Sequence, residues 1–259
     1  MYEIEKQKEA FEKIFANSDL KRWSFHDTSD PLIRYLRDRR IRIGVERLLR
    51  ITKSHPAEWD VLIVCGGVGG EGTLLANLGF RKVTVSDFSK NALEICKVRD
   101  ARLQTCILNV EQLDLPDDSF DLVLVQDGLH HLPRPALGLT EMLRVARRAV
   151  VVVEPHSGVV AKLLGTVWEC KVDKVNHVFR WNQLLLEQVT LSYLLQIPSY
   201  IKAIRLWDHN VMMSKLAKLL GSKRVGLFFV KFCYFFLNSL FWWLGNMMIG
   251  IVVKHNDKL

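Results

Sequence analysis

The stretch Val61-Leu-Ile-Val-Cys-Gly-Gly-Val-Gly-Gly-Glu-Gly72, followed by Val83-Thr-Val-Ser-Asp87, decides how this chain is read. An apolar run gives way to a glycine-rich turn, then a helix, then a second apolar run ending on a carboxylate. A glycine turn lets backbone approach a ligand where a β-carbon would collide. A carboxylate at the tip of the next strand accepts the hydroxyl protons of a ribose, and Asp87 stands twenty residues after Gly67. The pair reads as a βαβ unit for a nucleoside-bearing cofactor. Taken alone, Gly67-Val-Gly69-Gly-Glu-Gly72 also satisfies the G-x-G-x-x-G of a nicotinamide dinucleotide site, so these two features leave the cofactor open.

Outward from this unit, strands and helices alternate. Strands are expected near 61–65, 82–87, 103–108, 121–126 and 149–154, with helices near 71–79, 89–98 and 135–147. Leu122-Val-Leu-Val125 and Ala149-Val-Val-Val-Val153 are near-continuous apolar runs, as in a parallel sheet covered on both faces. Upstream, 3–16 and 30–53 read as helices, the second opening on Asp30-Pro31, an N-cap followed by proline. Beyond 155 the pattern loosens into a helix around 181–195, a strand around 200–206 and a polar helix near 211–221. The stretch 225–253 is very apolar, and Phe232 to Val253 would be long enough to cross a bilayer, for which about twenty residues suffice. Lys231, Asn238, Ser239, Gly245 and Asn246 interrupt it, so a buried helix and a final strand, Met247–Val253, are expected. An in-plane, membrane-facing helix is the alternative.

The 259 residues suit one large α/β domain or two small ones. Five scattered cysteines (65, 96, 106, 170, 233) form no C-x-x-C pair, which argues against a disulfide framework or a zinc site. A reducing, cytoplasmic location with no metal is expected, and the charged start Met1-Tyr-Glu-Ile-Glu-Lys is unlike a signal peptide. The net charge of +8 is uneven: residues 30–53 carry eight Lys/Arg against three acids, and 199–259 carry nine against two. Solvated basic faces account for this, as would an anionic substrate or peripheral contact with a membrane surface. No nucleic-acid-binding module is visible.

Read in order, further segments bear on the cofactor. Asn109-Val-Glu-Gln-Leu-Asp-Leu-Pro116 follows the third strand. Ser119-Phe-Asp-Leu-Val-Leu-Val-Gln-Asp-Gly-Leu-His-His-Leu132 spans the fourth, and Glu141-Met-Leu-Arg-Val145 leads to a fifth ending Glu154-Pro155. With Val61–Gly69 and Val83–Ser89 these resemble, in order and spacing, the class I S-adenosylmethionine-dependent methyltransferases of the small-molecule type, over residues 61 to 155. The nicotinamide reading explains only the first two segments. The resemblance implies a doubly wound, Rossmann-like α/β fold with a seven-stranded sheet whose last strand is antiparallel. It implies an N-terminal helical lid or substrate cap over 1–54 and a methyltransferase domain over 55–259, with 158–225 as a substrate-side insertion.

S-adenosylmethionine is the implied cofactor, contacted by Cys65, Gly66, Gly67 and Gly69 in the turn and by Asp87 at the ribose. Phe88 would lie beside the adenine, Asn109 would accept from its amino group, and Val110 N–H would donate to its ring. Gln126 would hold the methionine part. Methyl transfer to a hydroxyl needs a base, and Asp127, His130 and His131 lie where the fourth strand opens into a loop. His156, after the fifth strand, is the expected substrate contact.

This chain departs from the family's pattern twice, with Ile63 where an acid is usual and Cys65 where a glycine is usual. Both bear on the cofactor's amino-acid end. The expected function is O-methylation of a sugar- or lipid-linked small molecule. The alternatives are a catalytically weak binding or partner protein and a nicotinamide-dependent oxidoreductase.

Overall fold

A computed structural model describes residues 2–16, 30–165, 167–171, 174–220 and 223–254. Helix α1 (Tyr2–Ala16) and helix α2 (Pro31–Thr52) precede β1 (Asp60–Val64), α3 (Gly70–Asn77), β2 (Lys82–Asp87), α4 (Lys90–Arg99) and β3 (Gln104–Ile107). Then come β4 (Phe120–Gln126), α5 (Pro135–Val145), β5 (Ala146–Pro155) and α6 (Val159–Leu164). A hairpin of β6 (Trp168–Lys171) and β7 (Lys174–His177) follows, then α7 (Gln183–Leu194), β8 (Tyr200–Leu206), α8 (Asn210–Leu219), α9 (Lys223–Leu240) and β9 (Met247–Val253). The part of the expected N-terminal cap between 17 and 29 lies outside the described residues.

Seven strands form one sheet in the order β3-β2-β1-β4-β5-β9-β8. Neighbours from β3 to β5 pair parallel, and β9 is antiparallel to both β5 and β8, so the last strand is the reversed one, as expected. The order turns back between β1 and β4. The carboxyl ends of strands at such a switch point bound a crevice where open α/β sheets bind ligands.

Both faces of the sheet are covered, which is why its central strands hold unbroken apolar runs, Val61–Val64 in β1, Leu122–Val125 in β4 and Ala149–Val153 in β5. Val61 and Ile63 of β1 pack with Ile41, Val45 and Leu48 of α2 on one face. Leu62 and Val64 pack with Leu139, Met142 and Leu143 of α5 on the other. The two N-terminal helices occupy different places. Helix α2 is capped by Asp30, which accepts from Leu32 N–H at 2.9 Å, and it lies on the sheet itself. A β-carbon at Gly44 would stand 2.9 Å from Ile249 Cγ2, so the glycine permits that close approach. Helix α1 lies over the glycine turn and α4, with Phe15 buried on Val68 and Ala92.

Helices α8 and α9 pack on the start of α2 through Met213, Ala217, Val230 and Tyr234 against Leu32 and Leu36. The helix expected within 225–253 is present as α9, but it is not buried all round: Phe228, Phe232 and Phe235 are exposed. The hairpin β6–β7 was not foreseen, because Trp168–Lys171 and Lys174–His177 are short and lack strong alternation.

Candidate active site

The site is built at the carboxyl edge from the turn after β1, the tip of β2 and the loops after β3 and β4. Cys65 opens the turn in the left-handed region (φ 53°), and Gly67 and Gly69 follow at positive φ. At Gly69 a β-carbon would fall 2.3 Å from Cys96 Sγ, so packing of the turn on α4 requires this glycine whatever binds above. Gly66 N–H donates to Ser86 O at 2.8 Å, stitching the turn to β2.

Asp87 is buried and holds the turn, accepting from Gly67 N–H at Oδ2 and from Ser89 N–H at Oδ1, both 2.9 Å. Burial pushes its carboxyl up, opposed by these backbone donors. Two acceptor positions are thereby used, and a carboxylate has about four, so a ribose diol could still be accepted. Asp87, Phe88, Asn109, Val110 and Cys65 line one cleft with Leu132 and Pro133. Asn109 Oδ1 accepts from Glu111 N–H at 3.0 Å, a local turn that uses one of its two lone pairs.

Gln126, buried at the end of β4, donates from Nε2 to Glu71 Oε1 of α3 at 3.2 Å. Its Oε1 is buried without a hydrogen-bond partner among the described residues. An orphaned buried acceptor costs on the order of 1–3 kcal/mol, which a donor such as an ammonium group would recover. The residues present therefore fit S-adenosylmethionine: a carboxylate for the diol, a cleft for the base, and an unsatisfied acceptor for the amino acid.

The three expected catalytic residues occupy three different environments. Asp127 is in the left-handed region (φ 52°) and is gripped by Arg40 of α2, at 3.0 Å to Oδ1 and 2.6 Å to Oδ2. Arg40 Nε also lies 2.9 Å from Asp208 Oδ2, an ion-pair contact off the N–H direction. Burial alone would pull the Arg40 guanidinium down, but Asp127 and Asp208 outweigh it and hold it above its ordinary value. His130 is buried, with Nδ1 at 2.6 Å from Glu154 Oε2. A carboxylate partner places the proton on Nδ1 and fixes the ring. Glu154 Oε1 also accepts from Gly128 N–H (2.9 Å) and Leu129 N–H (2.7 Å), so this fully buried carboxylate shapes the whole loop after β4.

His131 is half-buried, its ring 4.1 Å from that of His130 and 5.8 Å from Phe11 of α1. Phe11 also meets Phe88 at 5.3 Å, so one residue of α1 touches both the cleft and His131. His156 is 1% exposed, and neither ring nitrogen has a hydrogen-bond partner among the described residues. Burial, with Arg205 adding to it, pushes its pKa down to about 4, so the imidazole is neutral at pH 7.

Sequence reasoning gave no role to Glu154, Arg40, Glu71 or Glu12. The first was legible as a carboxylate ending the apolar run Val150–Val153. Arg40 and Glu71 look like ordinary helix charges, and only the packing of α2 and α3 onto the sheet reveals their partners. Glu12 of α1 accepts from Lys90 N–H (2.7 Å), Asn91 N–H (3.3 Å) and Ser89 Oγ–H (3.0 Å), which fastens α1 to the start of α4.

Residues 62–153 match the family model described as a methyltransferase domain. The chain is 31% identical over 112 residues to a demethylmenaquinone methyltransferase of Clavibacter sepedonicus, covering 40% of this chain and 45% of the relative. It is 28% identical over 142 residues to that of Bacillus licheniformis, covering 53% and 56%. The chain thus spans about half the length of these curated relatives. Among solved structures, the magnesium protoporphyrin IX methyltransferase of Synechocystis PCC 6803 with bound S-adenosylhomocysteine superposes with TM-score 0.59 at 12% identity, over 95% of this chain and 98% of that one. A Thermotoga maritima S-adenosylmethionine-dependent methyltransferase superposes with TM-score 0.58 at 16% identity, over 95% and 99%. Residues 62–153 thus match a methyltransferase domain, and the solved neighbours share the fold of the chain. That match favours the methyltransferase reading over the nicotinamide alternative.

Proposed function

We propose that this protein transfers the methyl group of S-adenosylmethionine to an oxygen of a small acceptor carrying a sugar or lipid part. The supporting observation is Phe11, which touches Phe88 on the cleft and His131 beside it. Under this reading Asp87 holds the ribose, Phe88, Asn109 and Val110 hold the adenine, and Gln126 with the Cys65–Gly69 turn holds the amino-acid end. The cofactor supplies an electrophilic methyl group, so the protein's task is alignment and removal of one proton.

His131 is the base, taking the acceptor's hydroxyl proton beneath the α1 roof. His130, held by Glu154, positions His131 through their ring contact, and Asp127 shapes the loop from its ion pair with Arg40. His156 is too deeply buried to meet an acceptor and supports the edge from below. The relatives' name, demethylmenaquinone methyltransferase, favours an acceptor with an apolar part.

Calorimetric titration with S-adenosylhomocysteine, with NADH as control, tests the cofactor site. Binding should weaken at least about tenfold in Asp87→Ala, which loses charge-assisted acceptors. Methyl transfer is then assayed with demethylmenaquinone, a polyprenyl-linked sugar and a nucleotide sugar. His131→Ala should abolish transfer while leaving the S-adenosylhomocysteine affinity unchanged. No binding of S-adenosylhomocysteine would put the partner-protein alternative, motivated by Ile63 and Cys65, in its place.

A further inference from the structure

Helix α9 is apolar on its exposed face as well as on its packed one. It buries Val230 and Tyr234 against α2 and α8 and turns Phe228, Phe232 and Phe235 outward, at spacings i, i+4 and i+7. Phe228 is 74% exposed and Phe235 72%, whereas a surface helix ordinarily keeps its apolar stripe inside. The aromatic surface continues past the end of the helix. Phe236 lies 6.1 Å from Phe241, Phe241 lies 5.8 Å from Trp243, and Trp243 lies 6.3 Å from Trp242, all four exposed. A free monomer rarely presents a patch of this kind without a use for it.

The exposed charges of its own chain segment have one sign. Arg224 and Lys231, seven residues apart on one flank of the stripe, are exposed. Between 199 and 254 the chain has eight Lys/Arg and one acid, Asp208, which is buried against Arg40. The segment therefore exposes cations and aromatic rings and no carboxylate. Its place in the fold matters as well. Met247, the first residue of β9, pairs with both Pro155 and Leu206, so the turn through 241–246 arrives at the carboxyl edge of the sheet. There Asn246 O accepts from His156 N–H at 2.8 Å, and Trp207 Nε1–H donates to Phe241 O at 2.7 Å. The aromatic turn thus sits on the same edge as Asp87, Gln126 and His131.

We infer that α9 and the turn after it dock this protein in the plane of an anionic bilayer surface. The phenylalanines enter the acyl boundary, Trp242 and Trp243 sit at headgroup level, and Arg224 and Lys231 meet lipid phosphates. Helix α9 lies on the membrane and does not cross it, since no helix among the described residues is long and apolar enough to span one. A second copy of the chain fits the face poorly, because a two-fold contact would set the same cations against each other. Docking sets the site's edge against the lipid phase; that consequence rests on the proposed acceptor class, whereas the docking itself does not.

The test is co-sedimentation of the full chain with vesicles of phosphatidylcholine alone and of phosphatidylcholine with phosphatidylglycerol in equal parts. The triple variant Phe228→Ser/Phe232→Ser/Phe235→Ser and the charge variant Arg224→Gln/Lys231→Gln are run beside it. Binding is expected to the anionic vesicles only, to fall as salt rises, and to drop at least about tenfold in the triple variant. The charge variant should lose about fivefold per cation. Absence of binding to anionic vesicles overturns the inference, as does binding indifferent to the triple substitution. A dimer in sedimentation velocity that the triple variant abolishes, without vesicle binding, assigns the face to a second copy and also overturns it. S-adenosylhomocysteine titration of the same samples separates the two proposals. Bound ligand without vesicle binding sinks only the docking, and vesicle binding without ligand sinks only the enzyme reading.

Discussion

A β-carbon on Gly128 would stand 2.5 Å from the β-carbon of Cys65 and 2.8 Å from Val125 Cγ2. The two residues follow β1 and β4, the neighbouring strands between which the sheet order reverses, so the floor of the crevice has room for one of the two side chains. This chain keeps it on Cys65, which has to adopt φ 53° to do so. A non-glycine residue in that region costs on the order of 1 kcal/mol or more.

Gly128→Ala should therefore destabilise the protein by about 1–3 kcal/mol through overpacking. Cys65→Gly should be close to neutral, because relief of the backbone offsets the larger entropy of glycine in the unfolded chain. In the Cys65→Gly background the cost of Gly128→Ala should shrink, leaving the Val125 contact. Urea unfolding of the four proteins gives the coupling directly. Additive effects would mean the two residues do not share the space.

The fold was legible because the strands are buried on both faces and read as unbroken apolar runs between turn residues. Val61–Val64, Leu122–Val125 and Ala149–Val153 each declare a central strand without help from the rest of the chain. The site was legible only where chemistry coincides with chain punctuation, as at the Cys65–Gly69 turn and Asp87. Glu154, Arg40 and Glu12 act across distances of 24, 87 and 77 residues or more, and local pattern carries no record of such pairings. His130 and His131 are adjacent in sequence, yet one is anchored on Glu154 and the other meets α1, a difference set by tertiary packing.

Glu12 supplies a carboxylate to the start of α4, where backbone N–H groups and the helix dipole favour negative charge. Glu12→Ala should release α1 while costing the core little, on the order of 1 kcal/mol. Hydrogen exchange over residues 5–16 should accelerate, and trypsin should cut sooner at the exposed Lys13. The urea midpoint should change only slightly. Unchanged exchange in α1 would show that Phe11 and Phe15 alone hold the helix in place.

His156 links stability to pH. Its folded-state pKa, about 4, lies below the ordinary value of about 6.5. Between these values the unfolded chain binds the proton more readily, so stability present above pH 6.5 is lost as pH falls toward 4. The full difference is on the order of 3 kcal/mol. His156→Leu removes the titrating ring and the two unpartnered nitrogens, so its stability should vary less with pH across that window. Parallel wild-type and variant slopes in urea unfolding between pH 4 and 6.5 would contradict the assignment.

Arg40 carries the connection between the site and the helices behind it. Its guanidinium joins Asp127, at the mouth of β4, to Asp208, whose side chain is 1% exposed and also accepts from the Tyr234 hydroxyl at 3.1 Å. Arg40→Met would fill similar space and leave Asp208 as a buried carboxylate without its main counter-charge, at a cost of about 3–5 kcal/mol. Burial already pushes the Asp208 carboxyl up, with Arg40 and Arg39 opposing it. Losing Arg40 raises it further, so the folded state takes up a proton that the unfolded chain binds only near its ordinary pKa of about 4. The penalty should accordingly shrink as pH falls from 7 toward 5. The double variant Arg40→Met/Asp208→Asn, lacking both buried charges, should recover much of the loss at pH 7 and show no such pH dependence. A single-variant penalty that is flat with pH, or a double variant no more stable than the single, would mean that Arg40 acts by packing and not as the counter-charge of Asp208.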